Sequence, residues 1–330
     1  MTNDKFSMTN SQSFQSLKPV HGKAAPKKVK RSSPRSVTHG RRSEGVLLFG
    51  RRNSILCQVH DIAFHLGPLT VTWYGILVAC GFLFGLWNAS RRALRQNIAP
   101  EAIFDCGTWL LIGAIAGARA VYVVSYWPDV INAAKEYQHP PWMEVFMVQH
   151  GGIVYYGGLL GASAAGVLFA RRRKLPVWKL ADILAPSVAL GSFVGRWGCL
   201  MHGCCFGRPT DLPWGIQFPL GHASHPDDGL PHYVHPTEIY DSLLNLGLFA
   251  GLAWFYKRRK FDGQVFALYL IGYSVLRSAV ECFRGDYPPA DLAWGRITPA
   301  QVVSIGVLLA GVLLLILLSR GKAAKLETHG

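Results

Sequence analysis

From residue 69 onward, long apolar runs alternate with short polar connections, at about 69–89, 103–125, 152–170, 179–201, 239–256, 264–283 and 298–318. Runs of about 17–25 apolar residues suffice for a helix to cross a hydrocarbon core of roughly 30 Å. Lipid tolerates neither open strands nor irregular backbone against it. The pattern therefore predicts an all-α polytopic membrane protein with about seven transmembrane helices. Clusters of Lys and Arg at 91–95, 171–174 and 257–260 follow the first, third and fifth runs, and Arg320, Lys322 and Lys325 follow the seventh. Short basic loops stay in the cytoplasm, so the first helix is predicted to start outside. The outer side then receives residues 126–151, 202–238 and a stretch near 285–296. The middle of these is rich in Pro and His, has no helical period, and is predicted to form a small periplasmic cap.

Composition agrees with this reading: half the residues are hydrophobic and only 16% are charged. The net charge of +15 does not point to nucleic acid. Residues 1–53 hold twelve Lys/Arg against Asp4 and Glu44, so +10 of that charge lies in the tail. Residues 1–58 are accordingly predicted as a disordered basic extension, 59–320 as the transmembrane domain, and 321–330 as a short cytoplasmic tail. The extension has no apolar core of the kind a secretory signal carries. Cys80 and Cys106 lie in apolar runs as small core residues, as does Cys282, and no disulfide framework can be read from the seven cysteines.

Several polar features interrupt the apolar runs. Arg196 sits between Gly195 and Gly198 at the end of the fourth run. A guanidinium cannot shed its proton and is costly at membrane depth unless paired or hydrated. Beside glycines, which admit close approach, it suits an anionic head group such as a phosphate. In the sixth run Arg277, Glu281 and Arg284 recur at i, i+4 and i+7, on one helix face. The set marks either a functional path or a buried ion pair that only fixes packing. Arg119 follows small residues in the second run and reads equally as a ligand contact or a snorkelling cation. Gly151-Gly152 and Gly157-Gly158 bracket Tyr155 and Tyr156. Cys199, His202, Cys204 and Cys205 offer soft metal donors but match no standard zinc spacing. Packing, a disulfide on the outer side, or a transient lipid acceptor are the other readings of that cluster.

Taken together, these motifs resemble the prolipoprotein diacylglyceryl transferase family over about residues 60–318. The residues that carry the resemblance are Trp73-Tyr74-Gly75, Gly117-Ala118-Arg119, the two glycine pairs, Asp182 with Ala185-Pro186, and Gly195-Arg196-x-Gly198. It continues through the run from His235 to Tyr240, then Gly272-Tyr273, Arg277-x-x-x-Glu281-x-x-Arg284, and Thr298 with Gln301. The resemblance implies transfer of diacylglyceryl from phosphatidylglycerol to the lipobox cysteine of a prolipoprotein, next to its signal peptide. It implies a bacterial inner-membrane location and no metal or organic cofactor. The sequence departs from the family pattern where two Asn and an acidic residue are expected and Cys199, His202 and Cys204 stand. A family histidine before the second glycine pair is here Tyr156.

On this reading Arg196 and Arg277 hold the donor phosphate and Glu281 orients Arg277. Arg119, Arg284, Gly157, Gly158 and Gly195 belong to the substrate site, and Tyr74 and Tyr156 line its cavity. His202 or His235 takes over proton transfer. The alternatives are a transferase of the same fold moving another lipid-linked group, or a non-catalytic lipid- or metal-binding membrane protein.

Overall fold

A computed structural model of the chain describes residues 55–56, 62–67, 69–147, 151–218, 224, 232–286 and 297–327. Most of the predicted basic extension, and parts of the connections at 219–231 and 287–296, lie outside the described residues.

Seven long helices occupy the seven predicted runs. They are α1 (Trp73–Leu94), α2 (Pro100–Ser125), α5 (Tyr155–Arg172), α6 (Val177–His202), α7 (Thr237–Tyr256), α8 (Gln264–Glu281) and α9 (Pro299–Glu327). Two shorter helices, α3 (Trp127–Glu136) and α4 (Pro141–Glu144), fill the connection between α2 and α5. Among the described residues four helices, α1, α2, α6 and the Pro299–Arg320 part of α9, are long and apolar enough to cross a membrane.

The boundaries shift for local reasons. Residues 69–72 are not helical: β3 (Leu69–Thr72) pairs antiparallel with β2 (Ile62–Leu66). The helix starts at Trp73 because the Thr72 hydroxyl accepts from the Gly75 N–H at 3.1 Å, capping the first turn. The third helix starts at Tyr155 rather than 152 because Gly151 and Gly152 take φ of +90° and +75°, outside helical geometry. At the other end, α9 runs on to Glu327, through most of the stretch assigned to a tail. Within the supposed extension, β1 (Ile55–Leu56) pairs parallel with β4 (Ile216–Gln217), which also pairs antiparallel with β5 (Tyr233–Val234).

Helix packing follows the small residues. Gly113 and Gly117 of α2 face Gly157 and Gly161 of α5 so closely that a Cβ on any of the four would collide with the opposite helix. Gly81 of α1 meets the backbone of Gly191 in α6 in the same way. Contacts this close let dispersion and backbone packing hold helices together where lipid removes the hydrophobic drive. The main apolar core includes Leu86, Ile103, Cys106, Phe169, Ile183, Leu252 and Val265, and so lies at the helix ends next to the basic loops. There the fully buried Asp182 of α6 accepts from the Gly263 and Phe266 N–H groups, each at 2.9 Å, and caps the start of α8 from a neighbouring helix. The opposite ends of the helices carry a smaller apolar cluster, Leu200, Ile216, Phe218 and Val234, and the polar groups described next.

Candidate active site

The site starts from α6, whose last turns carry Gly195, Arg196, Cys199 and His202. Arg196 Nη2 lies 2.6 Å from Asp241 Oδ2 on α7. The same carboxylate oxygen is 3.8 Å from Arg277 Nη1 on α8. Arg277 Nη2 then pairs with Glu281 Oε2 at 2.8 Å, and Glu281 lies 3.7 Å from Arg284. Arg284 closes the series with a two-pronged contact to Asp286, at 2.9 and 2.6 Å. Guanidiniums and carboxylates thus alternate across α6, α7 and α8, with Asp241 and Glu281 buried. Within α8 the i, i+4 spacing sets Arg277 beside Glu281 as expected, whereas Arg284 lies past the helix end, in a bridge to Gly207, and reaches Glu281 from there.

The link between the helices is Asp241. Its other oxygen accepts from Asn245 Nδ2 at 2.6 Å, which fixes the carboxylate plane. One turn earlier on α7 lies Glu238, 1% exposed, with both carboxyl oxygens lacking a hydrogen-bond partner. Glu238 falls in the His235–Tyr240 run that carries the resemblance but was given no role there, and Asp241 was not singled out from the sequence. The signal was present nonetheless: Glu238, Asp241, Ser242 and Asn245 form a polar stripe at helical spacing within an otherwise apolar run.

Gly195 meets open space: an added Cβ would find nothing within 4 Å. At i+4 and i+7 from it stand Cys199 and His202, so that open space lies on the face that carries them. Gly198 is closed instead, by Tyr74 of α1, whose ring also lies 5.8 Å from the His202 ring. Tyr74 stands within electrostatic reach of Arg196 and of Cys199, Cys204 and Cys205. Tyr156 is near enough to Arg277 and Glu281 to feel both charges. The structure thus brings Tyr74, Tyr156, Gly195, Arg196, His202, Arg277, Glu281 and Arg284 to one end of the bundle.

Three sulfurs adjoin Arg196. Helix α6 ends where Gly203 adopts φ +75°, the left-handed turn that suits glycine. Cys205 is also left-handed, at φ +69°, which costs a non-glycine residue on the order of 1 kcal/mol. Thr237 Oγ1 holds that turn by donating to the Cys205 carbonyl at 2.5 Å. The result folds Cys204 and Cys205 back over Cys199, with the three Sγ atoms within 4.8 Å of one another. Arg196 Nη1 approaches Cys199 Sγ at 3.9 Å and Cys205 Sγ at 3.8 Å.

Other expected site residues lie elsewhere. Arg119 is buried in a clamp of its own: Nε donates to the Val145 carbonyl at 3.0 Å, Nη1 to Gly151 O at 2.6 Å, and Nη2 to the Glu144 carboxylate at 3.2 Å. Its donors tie α4 and the first glycine pair to α2. Gly157 and Gly158 sit in the α2–α5 interface, where their missing side chains serve helix packing. His235 belongs to an aromatic group beside the chain of charges: its Nδ1 is 3.3 Å from the Tyr240 hydroxyl, which accepts from Trp214 Nε1 at 2.7 Å. Its ring lies 5.3 Å from Phe283. Burial lowers its pKa below the ordinary 6.5, which favours the neutral imidazole.

The class that this fold and site define is a multi-pass helical membrane protein with guanidiniums and carboxylates alternating at one end of its bundle. More narrowly, the chain belongs to the prolipoprotein diacylglyceryl transferase family, whose profile matches residues 61–317. It is similar to the phosphatidylglycerol–prolipoprotein diacylglyceryl transferase of Synechococcus elongatus, 41% identical over 75% of this chain and 83% of the relative. The proteins of that name from Trichormus variabilis and Geobacillus kaustophilus are 37% and 38% identical. They align over 73% and 79% of this chain, and over 83% and 93% of their own lengths.

Proposed function

We propose that this chain transfers the diacylglyceryl group of phosphatidylglycerol to the lipobox cysteine thiol of a prolipoprotein, at the outer face of a bacterial inner membrane. All seven long helices cross the bilayer, and residues 203–218 and 232–236, between α6 and α7, lie over the site. The observation that carries the reading is the pair Arg196 and Arg277, converging on one buried carboxylate beside the open space at Gly195.

In the reaction the thiol loses its proton and its sulfur attacks the terminal glyceryl carbon. A C–S bond forms, the C–O bond to phosphorus breaks, and glycerol phosphate leaves with the electron pair. Negative charge on the departing phosphate grows from the one of the phosphodiester towards the two of a phosphomonoester, so fixed guanidiniums stabilise the transition state more than the ground-state donor. Arg196 and Arg277 are the phosphate holders, Glu281 and Asp241 orient them, and Arg284 extends the positive wall. Tyr74 and Tyr156 border the space for the glyceryl and acyl portions, with Gly157, Gly158 and Arg119 shaping the α2–α5 side. The prolipoprotein signal peptide enters laterally from the bilayer, whose lipids supply the donor. His202 and His235 are the imidazoles at hand to receive a proton, and burial favours the neutral form of His235.

Mass analysis of a reporter lipoprotein in a host depleted of its own transferase tests this. Expression of the chain should add one diacylglyceryl unit to the reporter cysteine. Arg196→Lys keeps the charge but loses the planar two-pronged grip, and should cut transfer about ten- to a hundredfold, the cost of one charge-assisted contact. No mass increase in the presence of the membrane-inserted chain would refute the assignment.

A further inference from the structure

The sequence reading assigned no metal, yet the sulfur cluster has the features of a metal centre that also solves a problem in the reaction. We infer that Cys199, Cys204 and Cys205 bind a single zinc ion whose fourth position receives the substrate thiol. The inference rests on the transferase reading above.

The first support is geometric. Three Sγ atoms lie within 4.8 Å of one another. Tetrahedral zinc with Zn–S bonds of about 2.3 Å needs sulfurs about 3.8 Å apart, a contraction of at most about 1 Å from the 4.8 Å limit. The second is the backbone: Cys205 is held at φ +69° by the Thr237 hydroxyl, and an unfavourable conformation so pinned is the kind that persists at functional sites. The third is charge. Three thiolates and zinc sum to −1, and Arg196, 3.8–3.9 Å from two of the sulfurs, offsets part of that charge while also facing Asp241 at 2.6 Å. The fourth is the open position. Among the described residues no fourth His, Cys, Asp or Glu joins the sulfurs, and catalytic zinc keeps three protein ligands and one exchangeable site.

The chemistry fits the departures of the sequence. Tyr156 stands where the family pattern expects a histidine, and a phenol with a reference pKa of about 10 is a poor base. Zinc makes a base at that place unnecessary, because a thiol that coordinates it is deprotonated outright. The incoming cysteine thiol binds zinc and its proton passes to His202 or His235, the imidazoles assigned above. The zinc-held sulfur then attacks the glyceryl carbon, the C–O bond breaks, and the phosphate leaves against Arg196. The thioether formed is a far weaker ligand than a thiolate and departs, leaving zinc and the three protein thiolates unchanged. No electron is gained or lost. Redox-inert zinc is therefore chosen over copper, which three sulfurs also suit.

The test uses the full chain purified in detergent without a metal-affinity tag. Metal analysis should find a single zinc per chain, lost in Cys199→Ser, Cys204→Ser and Cys205→Ser and kept in Cys80→Ser. Chelation should abolish transfer and zinc should restore it, and the serine variants should lose more than about a hundredfold, the upper end for removing even an outer partner of a metal. Cobalt substitution in the unaltered chain makes the result independent of whether the variants fold. Its thiolate-to-cobalt band should strengthen when a lipobox peptide carrying cysteine is added, and not when serine replaces that cysteine. Full transfer by metal-free protein, a disulfide joining two of the three sulfurs, or a cobalt band indifferent to the cysteine peptide would each overturn the zinc site and leave the transferase reading intact. A cobalt band that responds to the cysteine peptide in a protein that transfers nothing would instead keep the site and refute the transferase.

Discussion

Asp241 is the residue on which the site turns, and Asp241→Asn isolates what it does. The substitution keeps the shape of the side chain and one acceptor oxygen but removes the charge shared by Arg196 at 2.6 Å and Arg277 at 3.8 Å. Breaking a buried ion pair by removing one partner costs about 3–5 kcal/mol. The amide oxygen still accepts from Arg196, which recovers about 1 kcal/mol. Glu281 continues to hold Arg277 at 2.8 Å, so the loss falls mainly on Arg196. A net cost of about 2–4 kcal/mol, if expressed as lost positioning in the transition state, slows transfer about 30- to 1,000-fold. The assay is single-turnover diacylglyceryl transfer to a cysteine peptide, with the chain in nanodiscs containing phosphatidylglycerol and its melting followed in parallel. The expected result is a fall in rate with KM for phosphatidylglycerol raised, because a mobile Arg196 grips the ground-state phosphate less well too. Asn245→Ala should give a milder copy, since Asn245 fixes the other Asp241 oxygen at 2.6 Å. An Asp241→Asn protein within about threefold of the original rate would fall short of even the smallest loss reckoned here and would refute the two-arginine clamp.

Gly195→Ala should fold normally and melt slightly higher, because alanine favours a helix by about 1 kcal/mol and an added Cβ meets nothing within 4 Å. Transfer should nevertheless fall, since the methyl enters space assigned to the donor; unchanged activity would show that this face of α6 looks onto lipid. Gly157→Val should reduce the amount of folded protein, as its Cβ would lie 2.5 Å from the Gly117 carbonyl and 2.7 Å from Val121, and overpacking costs about 1–3 kcal/mol or more. A detergent melting curve equal to that of the unaltered chain would refute the close α2–α5 contact. A reporter active only in the cytoplasm should give signal after Lys174 and after Lys260, and none within residues 221–232. Signal in that last segment would invert the orientation and place the site on the wrong side.

The sequence by itself determined where the seven long helices lie, because a helix in lipid needs an unbroken apolar run and the connections advertise themselves by charge. It also determined that Arg277 and Glu281 share a face, which is a matter of helical period alone, but not that Arg284, past the end of α8, would join them. It could not locate helix ends finely. The strand at 69–72 is as apolar as the helix after it, and only the Thr72 cap separates them. Nor could it separate two uses of similar residues. Arg119 and Arg196 both follow glycines in apolar runs, yet the first is spent on loop carbonyls while the second meets a carboxylate on another helix. Gly157 and Gly195 are alike in composition and opposite in surroundings, one against backbone and one against open space. Partners in a helical bundle are chosen by which faces meet, and no local period encodes that. Asp241 joins Arg196 to Arg277, and Cys199 meets Cys204 and Cys205, only because α6 ends in two left-handed residues and packs against α7 and α8. The tertiary structure alone decided those contacts.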